Sequence, residues 1–404
     1  MWRLPEFLSV VQSYLISYLS VNIIKSSECF TMSELFIADQ KSLLSILSSM
    51  QPICTRRTTL DATSSILLSV GPKELILKST DLEISLQSSY ELKASTLSES
   101  KAFLVNGKRL FDIVKELDGD INFTLTDNQL ALSTGTVNMS LHIKDAQEFP
   151  PFPERIENLM QLDSAFVLTL LDKVAFMIPQ NNANPGLNGL FLEISKEYLT
   201  MTTTDGHCLA QIKTPKYTLE VAQNWLLPRR AILELKKILE SSSEKLVFLG
   251  TCGNQLVFSG ESFNFFTKLL SAKFPEYKAI LDKKGFMPAR VDKSHFVKTL
   301  RRSACLLSGQ FIATSFGFAS DNVHVSITNK EVGKLDEQVA LALFEGGEMN
   351  MRFYAPYLLN GLQAFSQDYL TFYLCNTTRP IIFETEEKDA YHFMYLVMPV
   401  SAAQ

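Results

Sequence analysis

The sequence predicts an α+β protein in which one domain is repeated three times, each copy placing two helices on one face of an antiparallel sheet. Three observations predict this. A helical pattern led by an aspartate recurs three times. A polar turn between two alternating segments recurs at positions 81, 205 and 329, at a spacing of 124 both times. A proline closes each copy at 150, 275 and 399, at spacings of 125 and 124. A fixed period is the mark of a repeated structural unit. The 404 residues suffice for two or three domains, and a composition 46% hydrophobic and 20% charged excludes disordered and collagen-like classes.

The first 31 residues precede the repeats. Residues 7–24 are apolar but broken by Gln12, Asn22 and several serines, too interrupted for a membrane span. With one Arg3 and no small-residue cleavage site they also make a poor signal peptide. They read as an N-terminal extension, unstructured or spurious, with Met32 as the natural first residue.

Copy one, 32–155, opens with a helix from Asp39 to about Met50, then an alternating pair over 75–86 turning at Thr80-Asp81, a second helix over 107–117, and a period-2 strand over 138–143. Copy two, 156–284, repeats the order with a helix over 162–178, the turn Thr204-Asp205-Gly206, and a helix over 228–239. Copy three, 285–404, has a helix over 291–307, the turn Thr328-Asn329, and a helix over 356–365. Asp39, Asp163 and Asp292 stand where a side-chain oxygen caps free amides. Pro228 and Pro356 stand where a missing amide hydrogen is harmless. Boundaries fall at Phe149-Pro150-Pro151-Phe152-Pro153 and over 282–288. Three independent beads are the competing architecture, disfavoured by such short linkers.

Net charge is −5, which does not advertise a nucleic-acid binder, but the charge is segregated. Counted over 40–50, 107–117, 164–177, 228–239, 293–306 and 356–365, the six helical segments hold thirteen Lys and Arg against four Asp and Glu, so they carry +9 and the rest carries −14. Glu is as good a helix former as Lys or Arg, so its scarcity there is not a matter of propensity. A basic helical layer in an acidic protein draws a polyanion to one place. With no zinc finger, recognition helix or base-stacking motif, the contact is to phosphate and independent of sequence. Solvated helix faces are the blander reading.

Chemistry is harder to find. Asp205, His207 and Cys208 place an acid, a base and a nucleophile within four residues, the basis of an alternative reading as an enzyme on a triplicated fold. Asp205, however, matches Asp81 and Asn329 in the other copies, so the shared residue reads as a turn former. The six cysteines lie far apart without metal-ligand spacing, which suits reduced thiols in a cytoplasmic protein, and neither metal nor cofactor is expected. The apolar end 395–400 reads either as a groove for peptides or as an ordinary buried last strand.

Lys78-Ser79-Thr80-Asp81-Leu82-Glu83, Thr204-Asp205-Gly206-His207-Cys208-Leu209-Ala210, Phe274-Pro275-Glu276-Tyr277 and Tyr395-Leu396-Val397-Met398-Pro399, in this order and spacing, resemble the bacterial DNA polymerase III beta subunits, the sliding clamps. The resemblance spans about 36–400. It implies three DNA-clamp domains, a head-to-tail homodimer closed into a ring, duplex DNA in the hole, and no catalysis. It implies partners without a membrane: the replicative polymerase, the clamp loader and other clamp-motif proteins.

On this resemblance, Arg57, Lys108, Arg109, Lys115, Lys173 and Arg229 face DNA, as do Arg230, Lys236, Lys237, Lys298, Arg301 and Arg302. The peptide pocket falls on Leu187, Thr204, Gly206, His207, Leu209, Pro275 and Ile280, with Tyr357, Ile382, Leu396, Met398, Pro399 and Val400. Met139 and Leu141 of one subunit would meet Cys305 and Leu306 of the other. Three departures stand out: Cys208 replaces an arginine, Ser401 to Gln404 replace a basic and apolar ending, and Pro185-Gly186 replace an aromatic pair that touches DNA.

Overall fold

The computed structural model describes residues 34–153, 155–308, 312–385 and 390–400. The N-terminal extension and the ending Ser401 to Gln404 lie outside them. Two compact units emerge, one of residues 34–79 and 89–150, the other of 80–88 and 151–400.

In the first unit, the strand Glu34–Asp39 hands directly to helix α1, Gln40–Cys54. Asp39 stays extended and its carboxylate accepts the Ser42 amide at 3.0 Å, which satisfies a donor the helix itself cannot. Helix α1 runs four residues past the expected end at Met50. Pro52 sits in its last turn, where one lost hydrogen bond costs little. Helix α2, Gly107–Lys115, is capped by Asn106 and packs on α1. Gly107 allows this, since a Cβ there would lie 2.4 Å from Cys54 Sγ. Every strand pairing is antiparallel. The strand Val137–Asp145 pairs with Gln129–Thr134 through 137–142 and with Lys101–Asn106 only through 143–145. Its alternation predicts one buried face, but residues 137–140 are all exposed: nothing among the described residues covers them.

In the second unit, helices α3, Ser164–Val174, and α4, Arg229–Ser241, pair with each other, as do α5, Lys293–Ala304, and α6, Ala355–Leu362. Asp163 caps α3 through the Phe166 amide, and Asp292 caps α5 through the His295 amide. Pro228 is the residue before α4 rather than its first, and Pro356 is the second residue of α6. Both still occupy positions whose amide no helical bond needs. One sheet per copy was expected, but here a twelve-stranded antiparallel sheet runs through copies two and three. Cys208–Thr214 of copy two pairs with His392–Val397 of copy three over six residues, so these copies are not independent beads.

Candidate functional site

The cations singled out by the sequence divide by what their heads touch. Arg57, Lys108, Arg109, Lys115, Lys298 and Arg301 are exposed, and their side chains make no hydrogen bond or ion pair among the described residues. The others are engaged. Lys173 donates to the Ala364 carbonyl beyond the end of α6, and Arg229 Nε donates to the Ile178 carbonyl at 2.9 Å. Arg230 pairs with the fully buried carboxylate of Asp81. Lys236 pairs with Asp172 at 2.5 Å, Lys237 with Glu234 at 3.2 Å, and Arg302 with Glu337. Sequence alone cannot show this division, because most of these partners lie far along the chain.

Lys108 and Arg109 occupy the first turn of α2, and Arg229 and Arg230 open α4, with no acidic residue in either turn. A helix N-terminus carries partial positive charge, so each exposed cation there costs a few tenths of a kcal/mol, up to about 1. Lys108 and Arg109, without a partner among the described residues, gain nothing locally from that place, whereas Arg229 and Arg230 are held by the Ile178 carbonyl and by Asp81.

The second turn gathers the apolar set. Strand pairing sets Leu209 opposite Leu396, and Leu396 opposite Ile382. These three join Phe274 and Tyr277 in one buried cluster. Thr204 is buried, and its hydroxyl donates to the Cys208 carbonyl at 2.5 Å and accepts the Gly206 amide at 3.1 Å. Gly206 adopts φ +95°, a left-handed conformation suited to glycine, and a Cβ there would stand 3.8 Å from buried Leu187. Pro275 lines a cavity of about 390 Å³ with Phe191, Trp225 and Tyr277. Ile280 is exposed in the short helical turn Lys278–Leu281. Met398, Pro399 and Val400 are half-buried, and the Met398 amide donates to the His207 carbonyl at 2.9 Å.

His207 is exposed and its ring stacks on Tyr357 with centroids 5.6 Å apart. Tyr354 meets Tyr357 edge to face at 5.0 Å, and Phe176 lies against Tyr395. The sequence reading did not single out Tyr354 or Phe176. A tyrosine three residues before Tyr357, one helical turn away, is the signal that could have found the first.

The enzyme alternative fails on this geometry. Asp205 Oδ1 accepts the amides of His207 and Cys208 at 2.8 and 2.7 Å, as a turn former does. Cys208 is buried, and its thiol is pushed up by that burial and by the nearby Asp205 carboxylate. A nucleophilic cysteine needs the opposite. No group of three or more His, Cys, Asp or Glu is placed to hold a metal, and no helix is long and apolar enough to cross a membrane, among the described residues. Elsewhere, Met139 is exposed and Leu141 half-buried on the strand 137–145, while beyond α5 Cys305 is exposed and Leu306 half-buried.

Three family models match in order: the DNA polymerase III beta subunit N-terminal domain over 35–153, its central domain over 161–276, and its C-terminal domain over 278–401. The beta sliding clamp of Pseudomonas putida is 26% identical over 369 residues, 90% of this chain and 99% of that one. That of Staphylococcus aureus is 24% identical over 354 residues, 85% of this chain and 93% of that one. Among solved structures, the Pseudomonas aeruginosa sliding clamp bound to griselimycin superposes with a TM-score of 0.83 at 24% identity, covering 92% of this chain and all of that one. The Bacillus subtilis clamp gives 0.84 at 20% identity with the same coverage. The chain belongs to the DNA polymerase III beta subunit family, and its function is that of a beta sliding clamp, a non-catalytic processivity subunit of the polymerase.

Proposed function

We propose that two copies of this chain close head to tail into a ring of six domains, with copies bounded at 32–155, 156–284 and 285–404, around duplex DNA in the cytoplasm. The observation that carries the reading is a pair of open sheet edges. Residues 137–142 have a strand neighbour on one side only, and so do residues 333–340, among the described residues. Exposed unpaired edges invite another chain unless they are covered. Pairing one with the other across two protomers uses different patches on each, the heterologous contact that generates rings when it closes. Met139 and Leu141 lie on one edge. Leu306, with Cys305 beside it, lies near the other.

The unpartnered cations Arg57, Lys108, Arg109, Lys115, Lys298 and Arg301 then meet phosphates directly, and the paired ones add field. Lys108 and Arg109 stand at a helix start that local stability disfavours for cations, and an anion explains their placement. The cluster around Leu209, Ile382 and Leu396, with the His207–Tyr357 stack above it, takes short apolar peptides from the replicative polymerase, the clamp loader and repair proteins. A few apolar anchors suit partners that must exchange.

Sedimentation equilibrium tests the assembly. A mass of twice the 45.5 kDa chain, falling to one chain on Met139→Glu, supports it. A wild-type monomer at every concentration contradicts it. For the pocket, His207→Ala should weaken a polymerase-derived apolar peptide roughly tenfold, the loss of about 1.4 kcal/mol from one aromatic contact, without changing the dimer.

A further inference from the structure

The turn residue at 81, 205 and 329 performs one local task three times. Oδ1 of Asp81 accepts the Glu83 and Ile84 amides at 3.0 and 2.8 Å, Oδ1 of Asp205 accepts those of His207 and Cys208, and Oδ1 of Asn329 accepts that of Glu331 at 3.0 Å. The second side-chain atom is used differently. In Asp81 it is an oxygen that pairs with Arg230. In Asn329 it is a nitrogen, which donates to the Leu306 carbonyl at 2.7 Å and contacts Ser308 Oγ at 3.0 Å. Asn329 is 6% exposed, so water competes little for these bonds. An ionised carboxylate has no proton to donate and could not replace the amide.

The segment held in this way follows α5 and contains Cys305 and Leu306. Leu306 Cδ2 stands 4.0 Å from where a Cβ on Gly333 would be, at the start of the strand Gly333–Phe344 whose 333–340 edge is open. The Asn329 amide therefore fixes Leu306 beside that edge. We propose that Asn329 is a positioning residue for ring closure, its amide setting residues 305–308 in the conformation that meets the first domain of the partner subunit. This rests on the head-to-tail reading above. Only this copy carries an amide at the turn, and that amide holds a segment beside an open edge.

Asn329→Asp tests it, because Oδ1 still serves the turn while the Leu306 carbonyl now faces a carboxylate oxygen. Dimer dissociation of the full chain is measured by sedimentation and subunit exchange for wild type and variant. At about pH 8 the variant should dissociate roughly tenfold more readily or worse, the worth of a lost buried hydrogen bond with an acceptor left unpaired. Near about pH 5 its ratio to wild type should shrink toward one, because a buried carboxyl beside a carbonyl protonates early and then donates. A ratio of one at the higher pH, or a deficit equal at both, overturns the proposal. If Asn329→Asp does not fold, Ser308→Ala is measured instead, since it leaves the turn intact and removes one partner. A severalfold weaker dimer supports the proposal and wild-type affinity overturns it. A wild-type chain that never dimerises, or a dimer indifferent to Met139→Glu, overturns the head-to-tail reading itself.

Discussion

Asp81 has no exposed side-chain surface, and Arg230 is the cation that pairs with it. Arg230→Ala takes a charged hydrogen bond from a buried carboxylate that keeps the Glu83 and Ile84 amides, so it should cost about 1.5 to 3 kcal/mol, seen as a lower urea midpoint. A near-wild-type midpoint would mean the carboxylate is satisfied without it. Thiols give a second expectation. Burial pushes the Cys54 thiol up to about 11 and holds Cys208 higher still, whereas Cys305 is exposed. Iodoacetamide at neutral pH should label Cys305 quickly in dilute protein and slowly above the dimerisation range, and should spare Cys54 and Cys208 throughout. Fast labelling of Cys208 would contradict its burial. A third concerns Glu384. Burial would raise its carboxyl, but the nearby His392 ring, 3.7 Å away, and a hydrogen bond from Lys283 at 2.8 Å outweigh that and hold it below the usual 4.5. A lowered carboxyl contributes stability that is complete above about pH 4.5 and is lost as pH falls through the folded value. Lys283→Gln should therefore destabilise the protein above about pH 4.5 and matter less in more acid solution, as urea midpoints across pH would show.

Elements show why the sequence was legible where it was. The aspartates at 39, 163 and 292 announced three helix starts because a cap is a local contact, closed within three residues. The turns at 81, 205 and 329 were legible for the same reason. The ends of helices were less so: α1 continues through Pro52 and α6 stops at Leu362, because the last turn is decided by what packs on it. Helix α6 is held to the last strand through a glycine that no local rule marks. A Cβ on Gly361 would lie 2.0 Å from the Tyr395 ring, whose hydroxyl donates to the Tyr357 carbonyl at 2.6 Å. Gly361→Ala should cost about 1 to 3 kcal/mol despite the better helix propensity of alanine, with the unfolding midpoint as the measure. An unchanged midpoint would mean that α6 shifts freely, and the His207–Tyr357 stack with it.

For the whole molecule, the period near 124 revealed three copies, and the excess of Lys and Arg over Asp and Glu marked the helical segments as the basic part of an acidic chain. What the period could not reveal is that the sheet passes from copy two into copy three, since that pairing joins Leu209 to Leu396 across 187 residues of chain. Nor could composition separate exposed Lys298 and Arg301 from Lys173 and Arg230, whose heads are bound within the fold. In the proposed ring, processivity is a consequence of topology: an encircling ring need not grip DNA tightly, because dissociation requires an end or an opened interface. Retention of purified clamp, once loaded, on nicked circular DNA before and after linearisation measures this directly. The ring predicts long retention on the circle and prompt loss after the cut, at moderate salt that screens phosphate contacts. Equal dissociation from circle and line would contradict it.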